Sequence, residues 1–179
     1  MVKAFTYVQK IDHSQILDIG CGTGVPTLWL AENLNGLITA IDIDGCALEW
    51  LKKKTISLHF ENKINIINTS FFDFNPLIEH YDLILAEGFL NIIGFEQGFL
   101  SIIKMLRNGG YFIIHDEFKN HEAKCDFING NHCTLTGTLF LVESVWWNDY
   151  YKQLENMINS LNSNKIKDLF KPDIQEIEY

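Results

Sequence analysis

The chain has 179 residues, of which 47% are hydrophobic and 21% charged. That fits one domain with a sizeable core and excludes a disordered chain. The formal net charge is −9, from 14 basic and 23 acidic residues, with Arg107 as the sole arginine. Nucleic-acid affinity rests on neutralising phosphates with a basic face, so this balance argues against a DNA or RNA partner.

The elements alternate along the chain. Residues 2–10 read as a short amphipathic helix. Gln15–Ile19 is a buried strand that runs straight into glycines. Val25–Leu34 has helical spacing, with Pro26 tolerated in the first turn. Leu37–Ile41 is a second strand. Asp44 caps a helix through Lys54, with Ala47, Leu48 and Leu51 inward. Lys52, Lys53 and Lys54 then read as the solvated end of that helix. Ile64–Ile67 and Tyr81–Ala86 are the third and fourth strands. Gly98–Arg107 is a helix stopped by Asn108-Gly109-Gly110. Tyr111–His115 is the fifth strand, Leu135–Leu141 a sixth, and Trp146–Leu161 a helix whose Trp146, Tyr150 and Leu154 stripe suits a core.

Alternation of this kind implies a doubly wound, mostly parallel sheet with helices on both faces, a Rossmann-like α/β fold over residues 1–179 as one domain. Ligands in such sheets bind beyond the carboxyl ends of the strands, near the switch in strand order. The cysteines, Cys21, Cys46, Cys125 and Cys133, form no C-x-x-C pair, which suits reduced thiols and a cytoplasmic protein. His121, Cys125, His132 and Cys133 match no common zinc spacing, so no metal is expected. The first ten residues lack a signal-peptide run, and no apolar stretch reaches the roughly 18–20 residues of a membrane span.

The chemistry concentrates in Asp18-Ile19-Gly20-Cys21-Gly22-Thr23-Gly24. Alternating glycines let the backbone turn sharply and approach a ligand. A dinucleotide site prefers G-x-G-x-x-G, with pyrophosphate on the helix terminus. Here Val25 takes the third-glycine place, and the carboxylate of Asp18 suits a cation better than a phosphate. Asp42 ends the second strand, where an acidic residue can accept both ribose hydroxyls.

I-L-D-I-G-C-G-T-G at 16–24 followed by I-T-A-I-D-I-D at 38–44 resembles the first two motifs of class I S-adenosylmethionine-dependent methyltransferases. The segments Ala86–Gly98, Arg107–Tyr111 and Trp146–Tyr151 resemble a small bacterial subgroup of the same family. The resemblance implies S-adenosylmethionine as cofactor, with Asp18, Gly20, Cys21, Gly22 and Gly24 at its methionine moiety. It implies Asp42 at the ribose, Ile43 against the adenine, and Ser70 and Phe71 at the adenine edge. Glu87, ending the fourth strand, is the candidate catalytic residue, able to orient the acceptor or take its proton. One of His115, Asp116 and Glu117 is expected at the cleft rim.

Ala86-Glu87-Gly88-Phe89 stands where nucleic-acid methyltransferases usually carry N-P-P-Y or D-P-P-Y. The expected reaction is therefore methyl transfer to a small-molecule acceptor, with no nucleic acid and no membrane involved. The alternative is a protein that binds the cofactor without turnover. The family's seventh strand has no convincing counterpart after Leu161, and the sheet edge this leaves unpaired invites a homo-oligomer.

Overall fold

The computed structural model describes residues 2–8, 14–76 and 78–140. The chain divides into two compact units, Met1–Gly137 and Thr138–Tyr179. The first holds a five-stranded sheet in the order β3-β2-β1-β4-β5. Its strands are β1 (Ser14–Ile19), β2 (Gly36–Asp42), β3 (Ile64–Asn68), β4 (Tyr81–Glu87) and β5 (Leu106–His115). Every pairing is parallel. The chain winds outward from β1 to β3, then returns to the other side of β1 for β4 and β5. The order therefore reverses between β1 and β4. The expected Rossmann-like sheet is the observed one.

Period-two alternation sends successive side chains of each strand to opposite faces. Ile16, Leu83 and Leu85 join one core with Leu30 and Ala31 of α1 (Val25–Asn33) and Leu48 and Leu51 of α2 (Gly45–Ser57). Leu17, Ile19, Ile84 and Ala86 join the other. That core takes Leu90 from α3 (Leu90–Ile93) and Ile102 from α4 (Phe95–Ile103). Helices thus cover both faces. Asp44 caps α2 as expected, accepting from the Cys46 and Ala47 amides at 2.8 and 3.2 Å. Among the described residues, no helix is long and apolar enough to cross a membrane.

Several boundaries differ from the sequence reading. The N-terminal helix is a 3-10 turn over Val2–Tyr7, with Phe5 against Trp29 at 4.8 Å between ring centroids. The helix expected over Gly98–Arg107 is α4, earlier by a turn at its end. Gly109, at φ 77, does not stop that helix; it belongs to β5. Leu106 already pairs with Tyr81, and the register resumes only at Tyr111 opposite Leu83. Residues 107–110 bulge out between these pairs. Arg107 uses the bulge to reach Asp82, with its guanidinium 3.0 and 3.1 Å from the two carboxylate oxygens.

No sixth strand forms over residues 135–140, which carry no regular structure. Position 141, the helix expected over 146–161 and the segment after 161 lie outside the described residues. A helix that the sequence reading missed, α5 (His121–Gly130), follows β5. It shows almost no apolar stripe. Phe127 holds it, meeting Phe95 and Phe99 edge-on at 6.3 and 5.9 Å.

Gly24 caps α1 with φ 84, a left-handed backbone, and any Cβ there would run into the Leu51 side chain. Gly24→Ala should therefore lower the unfolding free energy by about 2 kcal/mol or more, from backbone strain and overpacking together. Urea denaturation followed by circular dichroism measures it.

Candidate active site

The carboxyl ends of β1 and β4 flank the switch in strand order, and the glycine loop leaves β1 there. Gly20 and Cys21 donate their amides to the Ile41 carbonyl at 2.9 and 3.1 Å, which stitches the loop to β2. The Asp42 carboxylate then takes hold of both loops. Its Oδ2 accepts from the Gly22 amide at 2.7 Å and its Oδ1 from the Asp44 amide at 2.8 Å. Asn68, ending β3, donates Nδ2 to the Asp42 and Ile43 carbonyls, both at 3.0 Å. Lys54 reaches across from α2 to the Thr23 carbonyl at 3.0 Å. Gly22, at φ 52, has nothing within 4 Å of where a Cβ would stand, so its backbone faces open space.

Asp18 lies beneath this loop and is 1% exposed. Its Oδ2 accepts from the Thr27 hydroxyl at 2.6 Å, so the side chain faces α1 and not the cleft surface. Burial pushes its carboxyl up to about 7 from the ordinary 3.8; the Thr27 hydrogen bond opposes this, and the charges of Glu87 and Asp42 reinforce it. Cys21 is also buried, and burial, with the neighbouring Asp18 and Asp42 charges, pushes its thiol well up. It is therefore no nucleophile at neutral pH and offers the site its backbone.

On the opposite wall, Glu87 ends β4 in register with His115 at the end of β5. Their Oε1 and Nδ1 are 3.9 Å apart, and both side chains are partly exposed. Of the three candidates at the end of β5, His115 is the one beside Glu87. Asp116 is instead taken by Lys124 of α5, at 2.7 Å, and Glu117 is exposed. Phe89 packs over Gly20, 3.4 Å from its Cβ position, and meets Phe71 edge-on at 5.2 Å. Ser70 turns inward on its own loop: its Oγ accepts from the Phe72 amide at 3.2 Å. Ile43 is 74% exposed at the lip beyond Asp42.

The loop residues, Asp42, Phe71 and Glu87 are thus gathered around one strand-end cleft. Thr27, Asn68 and Phe89 also shape it without having been given a site role from the sequence, and Lys54, expected at a solvated helix end, turns inward to it. Their roles are long-range contacts with no local periodicity to mark them. On α5, Cys125 Sγ lies 3.5 Å from His121 Nε2, but no three His, Cys, Asp or Glu side chains among the described residues converge as metal ligands.

A family model described as a methyltransferase domain matches residues 10–158. The chain belongs to the class I S-adenosylmethionine-dependent methyltransferases. The cofactor of the family is S-adenosylmethionine. The cleft fits such a ligand, because its carboxylates suit a sulfonium and an ammonium and would repel a pyrophosphate.

Among curated relatives, a tRNA1(Val) (adenine(37)-N6)-methyltransferase of Pedobacter heparinus is 35% identical over 78 residues, 43% of this chain and 33% of the relative. A ribosomal RNA small subunit methyltransferase C of Marinomonas sp. is 23% identical over 136 residues, 72% of this chain and 38% of the relative. This methyltransferase therefore spans about a third of the length of the curated relatives it matches. In fold, it resembles an S-adenosylmethionine-dependent methyltransferase from Methanococcus maripaludis at TM-score 0.57 and 20% identity, covering 98% of this chain and 73% of that one.

The expectation of a small-molecule acceptor with no nucleic-acid partner does not stand, because these curated relatives are named for tRNA and rRNA. The physical reason is that net charge is a property of the whole chain. Phosphate contacts need only a local cationic surface.

Asp18 carries a pH signature. Between its ordinary 3.8 and about 7, the folded chain keeps a proton that the unfolded chain has released. Its contribution to stability is thus fully present below the lower value and is lost as pH rises through the window. The stability difference between wild type and Asp18→Asn should fall by up to roughly 4 kcal/mol from pH 4 to pH 7. Urea denaturation of both proteins across this range measures it; a flat difference would show that the carboxyl titrates normally.

Proposed function

We propose that this chain transfers a methyl group from S-adenosylmethionine to a nitrogen of an RNA base. The observation that carries the reading is the Gly20–Gly24 loop braced by Asp42 at the β1/β4 switch, with Glu87 and Phe89 on the facing wall. The reading takes residues 1–179 as one methyltransferase domain, since the family match crosses the boundary between the two compact units.

In this reading, Gly20, Cys21, Gly22 and Gly24 line the methionine moiety with backbone, and a cationic ligand above Asp18 favours its ionised form. Asp42 accepts from the ribose hydroxyls. A carboxylate has about four lone-pair sites, and the Gly22 and Asp44 amides leave two for the ligand. Ile43, Ser70 and Phe71 border the adenine. When bound, the cofactor supplies an electrophilic methyl group on a positively charged sulfur.

Glu87 acts on the acceptor. Its Oε1 faces His115, so Oε2 is available to take the proton that an amino nitrogen sheds as it is alkylated. Phe89 and Phe71 offer a planar base an apolar wall to stack against. Ala86–Phe89 departs from N-P-P-Y but keeps an aromatic ring at the end of the run. RNA is the acceptor to test first, because the curated relatives carry it in their names.

Incubation with methyl-tritiated S-adenosylmethionine and total bacterial RNA should place label in the RNA. Binding of S-adenosylhomocysteine without label in RNA would remove that acceptor, and binding with no transfer to any acceptor would leave a cofactor-binding protein without turnover. Asp42→Ala should weaken S-adenosylhomocysteine binding by about tenfold or more in calorimetry, since charge-assisted hydrogen bonds to ligand and loop are lost together. Glu87→Gln should leave that affinity within a few fold and slow transfer by about 100-fold or more.

A further inference from the structure

Asp18 is a carboxylate on an otherwise apolar face of the sheet. Its partners in register are Ala40 on β2 and Leu85 on β4, both buried. Ile16, Ile38 and Leu83 lie on the same face, and Leu30 and Ala31 of α1 cover it. Burying a charge in such surroundings is costly unless something nearby compensates it.

Two features favour the charge. The Thr27 hydroxyl donates to Oδ2 at 2.6 Å, and Thr27 lies in the first turn of α1, at the positive end of the helix dipole. Burial stands against them, and so do the carboxylates that end β2 and β4, Asp42 and Glu87. Cys21 of the loop contributes a neutral thiol, and Lys54 of α2 directs its ammonium to the Thr23 carbonyl at 3.0 Å. The balance pushes the Asp18 carboxyl up to about 7 in the empty protein. A group poised there changes its charge in response to a modest change in field.

The glycine loop leaves β1 directly after this residue. The methionine moiety of S-adenosylmethionine carries an ammonium and a sulfonium; S-adenosylhomocysteine keeps only the ammonium. We propose that Asp18 releases its proton when the methionine moiety binds, so that a cation of the ligand replaces the proton as its counter-charge. The O–H bond breaks with its electron pair left on the carboxylate, and the proton passes to the buffer. Linkage is reciprocal, so a ligand that expels this proton binds more tightly as pH rises through the window in which the empty site holds it. The proposal rests on the reading that places the methionine moiety on the glycine loop, and it is independent of the acceptor.

Calorimetry in two buffers of different ionisation enthalpy, PIPES and imidazole, counts the protons released per ligand bound. If a cation within about 4–6 Å weakens the Asp18 proton affinity tenfold, about 0.4 protons should leave at pH 7 on binding of S-adenosylmethionine. The affinity should then rise about sixfold from pH 5.5 to pH 7.5. Asp18→Asn keeps the shape of the side chain without its titration. It should match the wild type at pH 5.5 and bind more weakly at pH 7.5, and any release it retains measures the ligand's own titration. Thr27→Val, a second variant that leaves Asp18 in place, should weaken binding at pH 7.5 but not at pH 5.5, and Thr27→Ser should restore it.

Release with both compounds assigns the ammonium as the replacing cation, and release with S-adenosylmethionine alone assigns the sulfonium. Tight binding of both compounds with no release beyond that of Asp18→Asn would overturn the proposal and leave the cofactor site standing. If neither compound binds, the placement of the methionine moiety on the loop falls with it.

Discussion

The Asp42 carboxylate is the constraint on which the cleft depends. It closes β2 and in the same step restrains the loop that leaves β1, through the Gly22 amide, and the turn into α2, through the Asp44 amide. Both bonds are charge-assisted and short, which makes them roughly twice as strong as neutral ones. Without them, a run of alternating glycines would have ample conformational freedom. With them, three glycines in the left-handed region hold a single loop shape. Asn68 secures the Asp42 and Ile43 carbonyls from β3, so three strands meet at one knot.

The electrostatics follow from where that knot lies. β1, β2 and β4 each end in or near a carboxylate: Asp18, Asp42 and Glu87. Burial of Asp18, reinforced by the charges of Glu87 and Asp42, raises its proton affinity, and the Thr27 hydroxyl opposes that shift. Such an arrangement costs stability in the empty protein and favours a cationic ligand. The acidic balance of the chain thus has a local counterpart at the cofactor cleft. It does not extend to every surface, because on α2 Lys53 lies over the partly exposed Trp50 ring. Net charge summed over the chain missed that contrast.

The motif segments were legible in the sequence because their signals are local. The D-I-G-C-G-T-G run needs only its own glycines to announce a strand–turn–helix. Asp44 needs only the amides two and three residues on to cap α2. The later boundaries were less legible. Residues 107–110 look like a helix stop, yet they are a bulge whose shape is set by Asp82 on the neighbouring strand. α5 shows almost no apolar stripe because Phe127, edge-on to Phe95 and Phe99, and the Lys124 pair with Asp116 hold it.

By itself, the sequence determined the alternating α/β order, the glycine loop and the acidic strand ends, and through them the family and its cofactor. Each is a matter of residue type at short spacing. Tertiary structure alone decided which carboxylate braces the loop and which lies buried against Thr27. It also decided that His115, and not Asp116, stands beside Glu87, and that Lys52, Lys53 and Lys54 part company. Those outcomes depend on strand register and on helix faces meeting across the sheet, over distances in sequence that no local pattern encodes. The glycine loop therefore declared its ligand in the sequence, and the fold determined how that loop is held and what faces it.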